Sequence, residues 1–157
     1  MFKGEFPIHL IFSCQPLQAV NQQFFSNDAC SAEEIVDLLR PFYEERIPNE
    51  AERTNHEMFM QETLPMALRR LAEKDKSFIL DFVFFISGSR CIPHTNGYPD
   101  FVLNIYFDST VRNDQLPSSH ACDNLLHVAW DVYNNDPELL MEKLERATEY
   151  GKKFDMN

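Results

Sequence analysis

The sequence predicts an α+β fold: a small β-sheet with surrounding helices, preceded by a helical segment. Three observations carry this. Apolar residues recur at helical spacing in the first half, a run rich in aromatic and β-branched residues follows at 101–107, and an apolar helical stripe closes the chain. Helices first and strands later, with too few strand candidates for a barrel, leave a small sheet packed against helices.

Residues 2–25 mix apolar and polar types without clean periodicity and are punctuated by Pro7 and Pro16, so extended or irregular chain with a short helix is expected. Ser31 followed by Glu34 is a capping box, and Ile35, Leu38, Leu39 and Phe42 then recur at helical spacing. A helix over about 32–45 is expected, with Pro41 bending or ending it early. Ile47, Pro48 and Asn49 break the pattern, and 50–62 is polar with apolar residues at Met58 and Phe59. Pro65 fits the first turn of a further helix through Leu68, Leu71 and Ala72, ending near Asp75. Residues 77–86 read as either a buried helix or a buried strand, because their apolar residues do not alternate cleanly; Ser87 and Gly88 stop the element either way.

Pro93, Asn96, Gly97 and Pro99 mark loops before the strand at 101–107. Its alternation puts Val102, Asn104 and Tyr106 on one side and Phe101, Leu103, Ile105 and Phe107 on the other, and one of these faces is core. A second short strand is expected at 125–128, with a polar loop over 108–119 between them. Asp136 as N-cap and Pro137 at the first position open the last helix, which carries Leu140, Leu144 and Ala147 on one stripe. Gly151 is expected to close it.

The 157 residues are close to one domain in size, and 44% hydrophobic with 13% aromatic content supplies enough apolar surface to offset ordering entropy. A formal net charge of -11 argues against nucleic acid, since phosphate binding needs clustered cations and the chain offers only Arg69 with Arg70 and Lys152 with Lys153. Acidic charge suits partners with basic faces. No secretory signal is evident in the first residues, and the longest apolar run, 82–86, is far too short for a bilayer. Cys14, Cys30, Cys91 and Cys122 lie far apart, with no Cys-x-x-Cys pair and no His set to complete a zinc site. No zinc site is therefore expected, and free thiols in a reducing compartment, cytoplasm or nucleus, are the simplest reading.

The segment Leu116, Pro117, Ser118, Ser119, His120, Ala121, Cys122, Asp123, Asn124 places a cysteine in a polar loop with a histidine two positions before it. A thiol must be reachable and partly ionised to act as a nucleophile, and a loop beside a strand gives access without burying backbone. Cys122 is the best nucleophile candidate on these grounds. Cys14, Cys30 and Cys91 read as small buried hydrophobes.

The pattern Leu-Pro-x-x-His-x-Cys-x-Asn resembles the active-site loop of HECT ubiquitin ligases. Residues 82–93 are similar to the segment that enters that family's C-lobe, and Tyr133 with the stretch from Glu138 through Lys143 and Leu144 is similar to the family's closing helix. Phe154 stands fourth from the end, as in many members. The resemblance covers about 76–157 as a C-lobe-like catalytic domain, and more loosely 1–75 as a helical segment resembling the end of the N-lobe and hinge. It implies a helix at 77–86. It also implies that Cys122 accepts ubiquitin from an E2 conjugating enzyme as a thioester and passes it to a lysine of a protein substrate.

The resemblance further implies that Leu116, Pro117 and Asn124 support the loop and that Phe154 helps organise lysine attack. For His120 two readings stand: it favours the thiolate or takes a proton from the amine, or it is a surface residue ordering the turn. Members usually carry Thr before the cysteine and an apolar or aromatic residue after it, where this chain has Ala121 and Asp123. Asp123 puts negative charge beside the nucleophile and is expected to slow its attack. The family's N-lobe needs more chain than precedes Lys76, so a ligase fragment is expected. The alternative is a catalytically weak C-lobe relic that binds ubiquitin or a ligase; a cysteine hydrolase is disfavoured because no triad order can be read around Cys122.

Overall fold

The computed structural model describes residues 25–26, 30–44, 46–93, 101–112, 114–129 and 131–155. A two-residue strand β1 (Phe25–Ser26) is followed by helix α1 (Ala32–Leu38), whose N-cap Ser31 and Glu34 form the expected capping box. The helix stops well short of 45. Arg40 precedes Pro41 and is therefore biased towards extended backbone, and Leu39–Phe42 becomes strand β2 on an edge of the sheet, where a missing amide is tolerated.

Helix α2 (Glu50–Met58) starts at a second capping box, between Asn49 and Glu52. It runs without a break through a π turn (Phe59–Thr63) into helix α3 (Leu64–Lys74). Pro65 cannot donate to the turn before it, and the wider π turn immediately upstream accommodates the proline, so the polar stretch at 50–62 is helical too. Helix α4 (Phe78–Ser87) resolves the ambiguous run: Phe78, Ile79, Phe82, Val83 and Ile86 are buried, and Gly88 caps its end at φ 72°. A helix buried around most of its surface shows no clean stripe, which is why periodicity could not decide.

After β3 (Ile92–Pro93), which pairs antiparallel with β1, come β4 (Leu103–Asp108), β5 (Ser118–His120), β6 (Leu125–Ala129) and helix α5 (Pro137–Asp155). The main sheet has the order β2-β4-β6-β5, with β4 parallel to both β2 and β6 and β5 antiparallel to β6. It draws strands from both sides of residue 76. Strand β4 alternates as expected: Leu103, Ile105 and Phe107 are buried, while Asn104, Tyr106 and Asp108 are half-buried on the opposite face. The inner face joins Ile35, Phe59, Leu68, Phe82, Leu140 and Leu144 in one core.

Asp136 Oδ1 accepts from the amides of Glu138 and Leu139, each at 3.1 Å, and so caps α5. Gly151 does not end this helix, which continues to Asp155. A Cβ at 151 would lie 2.9 Å from Phe85 Cδ2, so the glycine permits close approach of α5 to α4. The same two helices are tied by Asp81, 3% exposed on its side chain, which pairs with Lys152 and with Arg90 at 3.2 Å.

Candidate functional site

Strand β5 delivers the chain to a single 3-10 turn, Ala121–Asp123, and the turn returns it through Asn124 into β6. None of Ala121, Cys122 and Asp123 is buried, and His120 is exposed as well. Asn124 adopts the left-handed conformation, φ 49° and ψ 47°, which asparagine tolerates better than most residues and which lets the chain reverse. The cysteine thus sits at the rim of the sheet, displayed rather than enclosed.

Neighbouring elements hold this turn from below. The Asn104 amide donates to Asn124 O at 2.7 Å, and the Asn104 side-chain amide donates to Asp123 O at 3.2 Å. Gly88 abuts the turn from the end of α4: a Cβ there would stand 3.3 Å from the Ala121 Cβ. Pro117 is buried and Leu116 half-buried where the chain enters β5, and just upstream the largely buried Lys143 of α5 donates to Asp114 O at 3.2 Å.

The sequence-derived site residues therefore divide. Leu116, Pro117, His120, Cys122 and Asn124 come together along one continuous segment. Among the described residues the side chain of Asn124 makes no hydrogen bond, so its part in the turn is conformational. No hydrogen bond joins His120 to the Cys122 sulfur. Phe154 falls in the last turn of α5, and its side chain lies outside the described residues.

Asn104, Asp108 and His127 carry no motif and are not among the site residues that the sequence suggests. The alternation at 101–107 put Asn104 on a face with Val102 and Tyr106, whereas Asp108 fell in the expected loop; which strand pairs with this one could not be read from the sequence. His127 Nδ1 donates to Asp108 Oδ2 at 3.1 Å. Burial pushes the Asp108 carboxyl up, but donation from the Thr110 hydroxyl and amide and from His127 outweighs it and holds the group below its ordinary range.

The other thiols have different settings. Cys30 is half-buried, and burial together with the hydrogen bond and charge of Glu34 pushes its thiol up to about 12. Cys91 is buried, and Cys14 lies outside the described residues. Cys122 is the exposed one of the three described cysteines. Among the described residues no cluster of three or more His, Cys, Asp or Glu side chains could hold a metal ion, and no helix is long and apolar enough to cross a membrane.

The site is thus an exposed cysteine on a tight turn, held through the carbonyls of Asp123 and Asn124 and two positions after an exposed histidine. The family model described as HECT-domain (ubiquitin-transferase) matches residues 20–157. That span is most of the chain, which belongs to the HECT-domain family, a family of ubiquitin transferases. No curated protein matches the chain at a significant level.

Proposed function

We propose that this chain is the catalytic end of a HECT-type ubiquitin ligase, with 76–157 as the C-lobe-like part and 1–75 as the end of the N-lobe and hinge. Cys122 accepts ubiquitin from an E2 conjugating enzyme and passes it to a substrate lysine. The observation that carries the reading is the placement of Cys122: exposed at the end of an edge strand, within the span of the family match.

In the first step the Cys122 thiolate attacks the carbonyl carbon of the conjugating enzyme's thioester. A new carbon–sulfur bond forms and the enzyme's own cysteine leaves as thiolate. In the second step a lysine amine attacks the same carbonyl carbon, giving an amide and returning the Cys122 thiolate, while His120 takes the amine proton. Thioester exchange is nearly isoenergetic, so positioning carries much of the work, and neither step calls for a cofactor. Strand β5, an edge strand beside the cysteine, offers backbone groups to an extended ubiquitin tail. Leu116, Pro117 and Asn124 shape the loop, and Phe154 organises the lysine attack.

Mixing the chain with a ubiquitin-charged conjugating enzyme should give an adduct that reducing agent removes and that Cys122→Ala lacks. A reducible adduct surviving in that variant would sink the assignment. Ala121 and Asp123 favour a second reading, a ubiquitin-binding relic. It predicts unchanged ubiquitin affinity in Cys122→Ala and no adduct with any charged conjugating enzyme.

A further inference from the structure

The outer face of the sheet carries a file of rings that ends at the cysteine turn. Phe42 meets Tyr106 edge to face at 6.1 Å between ring centroids, Tyr106 meets His127 in the same manner at 5.0 Å, and His127 meets His120 at 4.7 Å, tilted by 30°. Strand register explains the alignment. Phe42 lies opposite Tyr106 and Tyr106 opposite His127, while His120 lies opposite Leu125 and hence diagonal to His127 on the same face.

His127 is the fixed member of the pair of imidazoles. Its Nδ1 bonds Asp108 Oδ2, and Asp108 is itself held by the Thr110 amide at 2.8 Å and hydroxyl at 2.6 Å. An ionised carboxylate only accepts hydrogen bonds, so the hydrogen sits on His127 Nδ1. In the neutral ring that leaves Nε2 bare, and Nε2 is buried with no hydrogen-bond partner among the described residues. One side of the ring is therefore clamped by Asp108 and one edge packed by Tyr106, and His120 rests against what remains. His120, by contrast, is exposed, and among the described residues no hydrogen bond holds its ring.

We propose that Asp108 and His127 are positioning residues for His120: the clamped His127 ring is the platform that holds the His120 imidazole in place beside the Cys122 thioester. This rests on the reading of Cys122 as the ubiquitin-carrying cysteine. When the lysine nitrogen bonds to the thioester carbon and the carbon–sulfur bond breaks, sulfur departs as the Cys122 thiolate and the ammonium proton passes to the His120 ring. A histidine free to swing into solvent would meet that proton less often. The platform therefore acts in the lysine step and not in the charging of Cys122.

The test uses the full chain, charged at Cys122 by a ubiquitin-loaded conjugating enzyme and chased with free lysine. His127→Leu should slow discharge about tenfold and Asp108→Asn about threefold. His127→Phe, which restores a ring but not the clamp by Asp108, should recover to about the threefold deficit of Asp108→Asn. Charging should stay within about twofold throughout. The imidazole proton resonances of His120 should move in His127→Leu and Asp108→Asn, as neighbouring ring currents change, and less in His127→Phe. Unchanged discharge in His127→Leu, an equal fall in charging and discharge, or failure of His127→Phe to rescue would overturn the proposal. If the wild type accepts no ubiquitin, the functional reading fails separately; the resonance measurement still judges the platform, which an unmoved His120 signal in His127→Leu would refute.

Discussion

Helix α4 and the cysteine turn touch at Gly88 and Ala121, yet they are built on opposite terms. The helix buries Phe78, Ile79, Asp81, Phe82, Val83 and Ile86 and gains its position from the core, whereas the turn buries no residue and gains its position from hydrogen bonds to its backbone carbonyls. For the proposed thioester exchange, a sulfur buried like that of Cys91 could not meet another protein's thioester, and one on an untethered loop could not hold a reactive geometry. An exposed Cys122 on a turn, with the turn's anchor in the neighbouring elements, satisfies both demands of the proposed function.

The contrast is broken most severely from the helix side. Phe82 is fully buried, so Phe82→Ala should cost about 3–5 kcal/mol in urea unfolding, while Cys122→Ala on the same scale should change stability by no more than about 0.5 kcal/mol. Comparable costs for the two would erase the distinction between anchor and display. Gly88 lies on the boundary. Gly88→Ala forces an L residue into φ +72° with its new Cβ 3.3 Å from the Ala121 Cβ. A loss of about 1–2 kcal/mol is expected. It should come with an altered rate of alkylation at Cys122, followed by mass spectrometry. Destabilisation with unaltered alkylation would show that the helix end does not set the turn.

Asn104→Ala removes only the side-chain bond to Asp123 O, worth about 1 kcal/mol, and should appear chiefly as faster amide hydrogen exchange over 121–124. Exchange changes spread evenly over the sheet would argue against a local tether. The smallest effect is pH-dependent. The Asp108 carboxyl is held below its ordinary range in the folded chain, so its contribution to stability is in place above the unfolded value and is lost as pH falls through the folded one. Wild-type stability should therefore drop more steeply below about pH 4 than that of Asp108→Asn, a difference measurable by unfolding at successive pH values.

Local chemistry made several elements legible. The capping residues Ser31 and Asp136 read correctly because a cap is an interaction between residues a few positions apart. The alternation expected over 101–107 holds from 103 to 107 because one sheet face is core and the other is not. Other features failed for non-local reasons. Leu39–Phe42 carries helical spacing yet pairs with β4, since Pro41 and the available sheet edge outweigh a weak pattern. Gly151 looks like a stop, but its use is the close passage of α5 over Phe85. The segment 108–119 read as loop throughout, although Ser118 and Ser119 extend into β5, because a three-residue edge strand has almost no pattern of its own.

The cysteine turn follows the same division. The sequence by itself determined the α+β class and the segment that carries Cys122, because these depend on composition and on neighbours along the chain. Only the tertiary structure decided what stands beneath that segment. Asn104 reaches Asp123 and Asp108 reaches His127 across 19 positions each, and Gly88 meets Ala121 from the end of another element. Such partners are chosen by strand register and helix packing, which are settled by burial of the whole core and leave no local signature.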